Sequence, residues 1–326
     1  MNRAFRYLLL NLTLVLIVTA IVYLEGLKAP AGEVATNSDP TQYHDFVNPS
    51  AFVNTAPFQL ADEIGKKVIL IDFWTYSCIN CQRTIPYLSA WWDKYKDKGL
   101  LIVGMHTPEF EFEKELANVE NAIQQFGVNY PVVLDNDRGT WNAYGNRYWP
   151  HEYLIDLSGK IVYDHIGEGG YEESEAAIQK ALGLTDMEMA TPENSIAIDY
   201  EKIGSPETYL GSERASNSSF VSTEPLSLES NQAYLVGDWT QEDEYSETTS
   251  EKASLLFEYN SKNVYIVASS EPATEVEVWV DGTLVKTLTV QANTLYPVVE
   301  GADYGVHTLK LVPKGKGFKL FTFTFG

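Results

Sequence analysis

Cysteine is scarce: the 326 residues contain two. A disulfide scaffold needs many bridges, so this fold must rest on an apolar core instead. With 44% apolar residues over that length, the chain can bury one, and its size suggests two domains. Basic residues are also few, 23 Lys and Arg against 45 Asp and Glu, for a formal charge of −22. Nucleic acid and anionic lipid headgroups would be repelled, so nucleic acid is excluded as a partner, and the charge reads mainly as solubility. A second pair of metal ligands at motif spacing is missing, which counts against a four-ligand zinc site. No internal repeat or long low-complexity tract is present.

Long apolar runs are rare too, with one exception at the start. Arg3 and Arg6 precede a nearly continuous apolar stretch from Tyr7 to Leu24, of roughly the 17–25 residues that span a bilayer. Ala29, Pro30 and Ala31 form only a weak cleavage site, so an uncleaved single-pass anchor (residues 1–25) is expected rather than a removed signal. The two arginines should stay in the cytoplasm, which places the rest of the chain outside, on the periplasmic or cell-wall side. Residues 26–44, with Pro30, Gly32, Ser38 and Pro40, read as a tether.

From 45 to about 185, buried strand patterns alternate with helical ones. Val68 to Trp74 and Leu100 to Met105 are too continuous for half-exposed strands and fit a sheet covered on both faces. Ile85, Leu88, Trp92 and Tyr95 recur at helical spacing, as do Leu116, Val119, Ile123 and Phe126. A short strand at 132–134, a hairpin around Ser158-Gly159 and a helix from about Glu172 to Leu182 complete an α/β domain. Beyond Thr191 no helix pattern remains, and short alternating runs with an Asp281-Gly282 turn indicate a β-sandwich or jelly roll over 186–326, illegible between 186 and 253.

Both cysteines lie in one segment, Phe73 to Pro86 (FWTYSCINCQRTIP). A cysteine at a helix N-terminus has its thiol pKa lowered by the unpaired N–H groups and the helix dipole. Cys78 would occupy that position, with Cys81 one turn inward. The outer sulfur can attack a disulfide, and the inner one can displace it. Asp72, inside the apolar run, is costly to bury unless protonated or in use, and reads as a proton acceptor for the resolving thiol. Pro86 interrupts the helix and Trp149-Pro150 precedes a strand, where a cis bond is an option.

These features, from Asp72-Phe73-Trp74 through the two cysteines to Pro86 and the later proline, resemble the thioredoxin superfamily. The branch is similar to the membrane-tethered thiol–disulfide oxidoreductases of cytochrome c maturation. FWTYSCINC (73–81), GMHTPEF (104–110), TWNAYGNRYWP (140–150) and the final FTFG (323–326) resemble the extracytoplasmic part of the DipZ family. That resemblance implies a thioredoxin-like domain followed by a β-sandwich similar to carbohydrate-binding modules. It implies Cys78 as nucleophile, Cys81 as resolving thiol, Asp72 as proton acceptor and a cis Pro150 presenting backbone to substrate. Trp149, Trp74 and Tyr76 join Pro150 as substrate-contacting positions. The redox-active Cys78–Cys81 pair would need no cofactor. The partners implied are a protein disulfide and a separate membrane electron donor, since the multi-span electron-carrying domain of typical members is not expected here.

Alternatives stay open. His106 could tune the sulfurs, although a satisfied structural role is favoured for it, as for His151 and His165. Cys78, Cys81 and a histidine could deliver copper; a peroxidase would not need the Asp72, Pro86 and Pro150 arrangement. The second domain could bind sugar through Trp239, Trp279 and its tyrosines, dock a protein, or act as a spacer, and the Gln241 to Glu244 cluster could hold calcium or be a solvated loop. Ile79 and Asn80 supply no cation to stabilise a thiolate, which favours a reductant over a strong oxidant.

Overall fold

The computed structural model describes residues 41–326 apart from 186, 193–197 and 216. The expected anchor and most of the tether lie outside the described residues. Among the described residues no helix is long and apolar enough to cross a membrane.

The first sheet is built round β2. The strands are β1 (Ala51–Val53), β2 (Val68–Trp74), β3 (Leu100–His106), β4 (Val132–Leu134), β5 (His151–Ile155) and β6 (Ile161–Ile166), in the order β1-β4-β3-β2-β5-β6. β2 runs parallel to β3 and antiparallel to β5, and all seven of its residues are buried. The helices are α1 (Ile79–Tyr95), α2 (Leu116–Phe126), α3 (Gly139–Ala143) and α4 (Tyr171–Ala181). Two apolar clusters flank the sheet. One joins Val68, Leu70 and Trp74 to Leu88 and Trp91 of α1; the other joins Ile69, Ile71 and Phe73 to Trp141 and Tyr153. This double coverage is why β2 reads as a continuous apolar run rather than an alternating one.

Ten further strands form the second sheet: β7 (Thr208–Tyr209), β8 (Ser218–Val221), β9 (Ala233–Val236), β10 (Trp239–Gln241), β11 (Ser246–Thr248), β12 (Ser254–Ser270), β13 (Thr274–Val280), β14 (Thr283–Val290), β15 (Thr294–Pro313) and β16 (Phe318–Phe325). Instead of two facing sheets, one hydrogen-bonded sheet curls on itself. β12 pairs with β9 along its first half and with β16 along its second, while β15 follows both halves. β12 runs unbroken past an irregularity between Ser261 and Asn263 that absorbs the register shift against β15. Asp281 and Gly282 both take positive φ, as the two-residue hairpin between β13 and β14 requires.

Tyr43–Gly326 is one compact unit, and the two sheets meet over a broad seam. Phe110 and Phe112 pack edge-on against Phe321 at 5.1 and 4.9 Å between ring centroids. Arg83 of α1, buried, pairs with Glu168 at 2.9 Å and lies 5.5 Å from the Tyr265 ring of β12. Glu111 N donates to the Glu244 carboxylate at 3.0 Å, so part of the acidic 241–244 cluster serves this seam.

Candidate active site

The chain leaves β2 at Trp74, turns through Thr75, Tyr76 and Ser77, and enters α1 with Cys78 as the N-cap. The Cys78 sulfur accepts the Cys81 N–H at 3.3 Å, occupying one of the free donors at the helix start. Both cysteines are unbridged; Cys81 is buried and Cys78 half-buried. Burial pushes the Cys78 thiol up, its hydrogen bonds with the Cys81 side chain and N–H pull it down, and Glu207 and Glu109 push it up again. The net shift is upward, against the lowering expected from the helix start alone. Desolvation and two acids outweigh the helix terminus. Cys81 is raised further by burial, by Cys78 and by Asp72.

Asp72 is buried mid-strand and raised well above the usual carboxylate range, first by burial and then by Glu152. Glu152 is its register partner on β5, is itself buried, and is pushed up to about 7 by burial. The Trp149–Pro150 peptide is cis, and the Cys78 thiol faces the Trp149 carbonyl at 3.9 Å. The Trp149 indole packs 4.2 Å from Trp141 and donates its N–H to the Thr107 carbonyl at 3.0 Å.

A cleft of about 280 Å³ opens over Cys78. One wall is Trp149, Arg147 and Glu109; the other is Glu207, Tyr209, Arg214 and Thr324 from the second sheet and its approach. Below it, Glu113 is buried and accepts from Ser77 Oγ at 2.5 Å and Phe110 N at 3.0 Å, tying the turn before Cys78 to the segment that carries Glu109. Burial leads the causes that push its carboxyl up to about 7.

Cys78, Cys81, Trp149 and Pro150 thus converge, with Asp72 beneath Cys81. Trp74 and Tyr76 do not reach the substrate face. Trp74 is fully buried under α1, and Tyr76 is buried against the second sheet, stacked on His106 with its hydroxyl donating to the Asn293 carbonyl at 3.3 Å. His106 is buried between Trp74 and Tyr76, and burial lowers its imidazole to about 3. A ring held neutral there packs as a core aromatic between Trp74 and Tyr76. Among the described residues no group of three or more His, Cys, Asp or Glu is arranged to hold a metal ion.

Glu152, Glu113, Glu207, Tyr209 and Arg214 are absent from the sequence reading. Glu152 had a signal, an acid opening the apolar strand Tyr153 to Ile155. Glu207, Tyr209 and Arg214 had none, because they reach the thiol only through packing of a distant sheet.

The Redoxin family matches residues 26–182, and the thioredoxin-like C-terminal domain family matches 205–326. Protein DipZ of Mycobacterium tuberculosis is 36% identical over 273 residues, 80% of this chain and 39% of its own. The thiol-disulfide oxidoreductase ResA of Bacillus anthracis is 34% identical over 122 residues, 37% of this chain and 67% of its own. A thiol:disulfide interchange protein DsbE from Chlorobium tepidum, of known structure, is 28% identical with a TM-score of 0.39, covering 44% of this chain and 96% of that one.

Proposed function

Because this chain belongs to the thioredoxin-like thiol–disulfide oxidoreductases, we propose that it is an extracytoplasmic reductase of protein disulfides that serves cytochrome c maturation. The observation that carries the direction is the buried, acid-flanked setting of Cys78. Burial first, and then Glu207 and Glu109, disfavour its thiolate, and a pair whose thiolate is not stabilised holds electrons less firmly than a strong oxidant's pair. The Cys78 thiolate attacks the substrate disulfide, forming a mixed disulfide and releasing one substrate sulfur. Asp72 takes the Cys81 proton, and the Cys81 thiolate displaces the second sulfur, leaving Cys78–Cys81 oxidised. Pro150 and the Trp149 carbonyl offer a backbone edge to an extended substrate.

Residues 45–185 constitute the redox domain and 186–326 a curled β-sheet module in this reading, tethered by 26–44 to a single span. A separate membrane donor re-reduces the pair. For the second module we favour a role at the thiol cleft over sugar binding. Trp239, a candidate for stacking on sugar, is buried with its N–H donating to the Val236 and Ser254 carbonyls. The test is the reduction potential of the Cys78–Cys81 pair. A reductase is expected near thioredoxin's value of about −270 mV, whereas one near about −120 mV would make it an oxidant.

A further inference from the structure

Above Cys78 the seam holds two acids joined by one phenol. Tyr209 Oη lies 2.8 Å from Glu109 Oε1 and 2.8 Å from Glu207 Oε2. A phenol carries a single proton and can donate it to one acceptor only. If both carboxyls were ionised, the second contact would set oxygen lone pairs against each other. One carboxyl must therefore carry a proton and donate it to Tyr209. Arg214 selects which: its Nη1 pairs with Glu109 Oε1 at 2.7 Å, and its guanidinium sits 3.9 Å from the Tyr209 ring centre. Glu109 keeps the charge and Glu207 takes the proton.

Glu207 lines the same cleft as Cys78 and is open to solvent there, so it can both deliver a proton inward and recover one from water. We infer that Glu207 is the acid that protonates the departing sulfur when Cys78 attacks a disulfide. Resting on the reductase reading, the step balances without another reagent. The Cys78 thiolate, its proton already lost to solvent, forms a bond to one substrate sulfur, the substrate S–S bond breaks, and the leaving sulfur takes the Glu207 proton as Glu207 becomes a carboxylate. The two electrons come from the Cys78–Cys81 dithiol once Cys81 resolves.

The groups facing Glu207 act consistently. Protein walls and the Glu109 charge raise its carboxyl, while Tyr209 and Arg214 lower it in part. Arg147 and Tyr148, on the loop before Pro150, close the other side of the cleft. Once Glu207 has lost its proton, Cys78 is held in the mixed disulfide, and Glu207 regains a proton from solvent at the open side of the cleft before the next turnover.

The test compares two neutral disulfides on the full, reduced chain. Protonation of the leaving group matters for bis(2-hydroxyethyl) disulfide, whose alkanethiolate leaves poorly, and little for 4,4′-dithiodipyridine, whose thiolate leaves well. Single-turnover rates of Cys78 oxidation are measured from pH 5 to 9 for the parent chain and Glu207→Gln. The substitution should lower the ratio of alkyl to pyridyl rates about tenfold or more at pH 7 and abolish an alkaline fall confined to the alkyl substrate. Equal slowing of both reagents would show a merely structural role and overturn the inference, as would an unchanged ratio. No exchange with either reagent in the parent chain would instead remove the reductase reading on which it rests.

Discussion

Asp72 and Glu152 oppose each other on adjacent strands, both buried, each with one carboxyl oxygen lacking a hydrogen-bond partner. Two acids so placed cannot both ionise cheaply. Glu152 has a folded pKa of about 7 against 4.5 for the free side chain, so its contribution to stability is complete below about 4.5 and is lost as pH rises through about 7. Asp72 shifts in the same direction. Urea denaturation should find the parent chain less stable at pH 8 than at pH 5, and Glu152→Gln should recover roughly 2–3 kcal/mol at pH 8. A pH profile unaltered by the substitution would mean that burial does not raise the Glu152 carboxyl.

The two sulfurs should separate cleanly under mutation. Cys78→Ser is expected to abolish exchange, since a hydroxyl is a far poorer nucleophile than a thiolate. Cys81→Ser keeps the attacker and removes the release step, so a mixed disulfide through Cys78 should accumulate and be identified by mass spectrometry. Asp72→Asn should slow resolution more than attack. Trapping through Cys81 in Cys78→Ser would reverse the roles.

His106 should not titrate in the physiological range. Its folded imidazole is lowered to about 3 from 6.5, so its stabilising share is present above about 6.5 and is lost as pH falls toward about 3. Imidazole resonances of His106 should stay constant from pH 5 to 8 by NMR. A midpoint within that interval would restore it as a modulator of the sulfurs.

Phe321 holds the seam through Phe110, Phe112 and Tyr245, and is buried. Phe321→Ala should cost about 3 kcal/mol in urea denaturation. A loss below about 1 kcal/mol would show that the seam carries little of the stability.

A fragment of residues 45–185 retains Cys78, Cys81, Asp72 and the cis-proline loop but loses Glu207. It should still exchange disulfides, with the midpoint for Cys78 alkylation moved to lower pH, because part of the cover over the thiol is gone and with it one of the charges opposing the thiolate. A midpoint that moved upward would contradict the electrostatic account of this cleft.

The placement of the two cysteines at the end of β2 and the start of α1 was legible from the chain because its meaning is local. A buried run ending in two cysteines, one turn apart at a helix start, specifies both β2 and the cap of α1 within a single segment. The β-pattern of the second half was readable from about 254 onward for the same reason, by alternation along each strand. Tertiary structure alone decided the rest. Trp74 and Tyr76 stand beside Cys78 in sequence yet point into the core, since strand and turn direction, not proximity along the chain, sets which face a side chain meets. Strands β7 to β11 span only two to four residues each, too short for a periodic pattern to show, and β7 takes its register from β16, more than a hundred residues away. Glu207 and Tyr209, more than a hundred residues beyond Cys78, enter its cleft only because Phe110 and Phe112 need an apolar cover and find it on β16. Through that packing the second sheet adds the Glu207 charge to the burial that raises the Cys78 thiol.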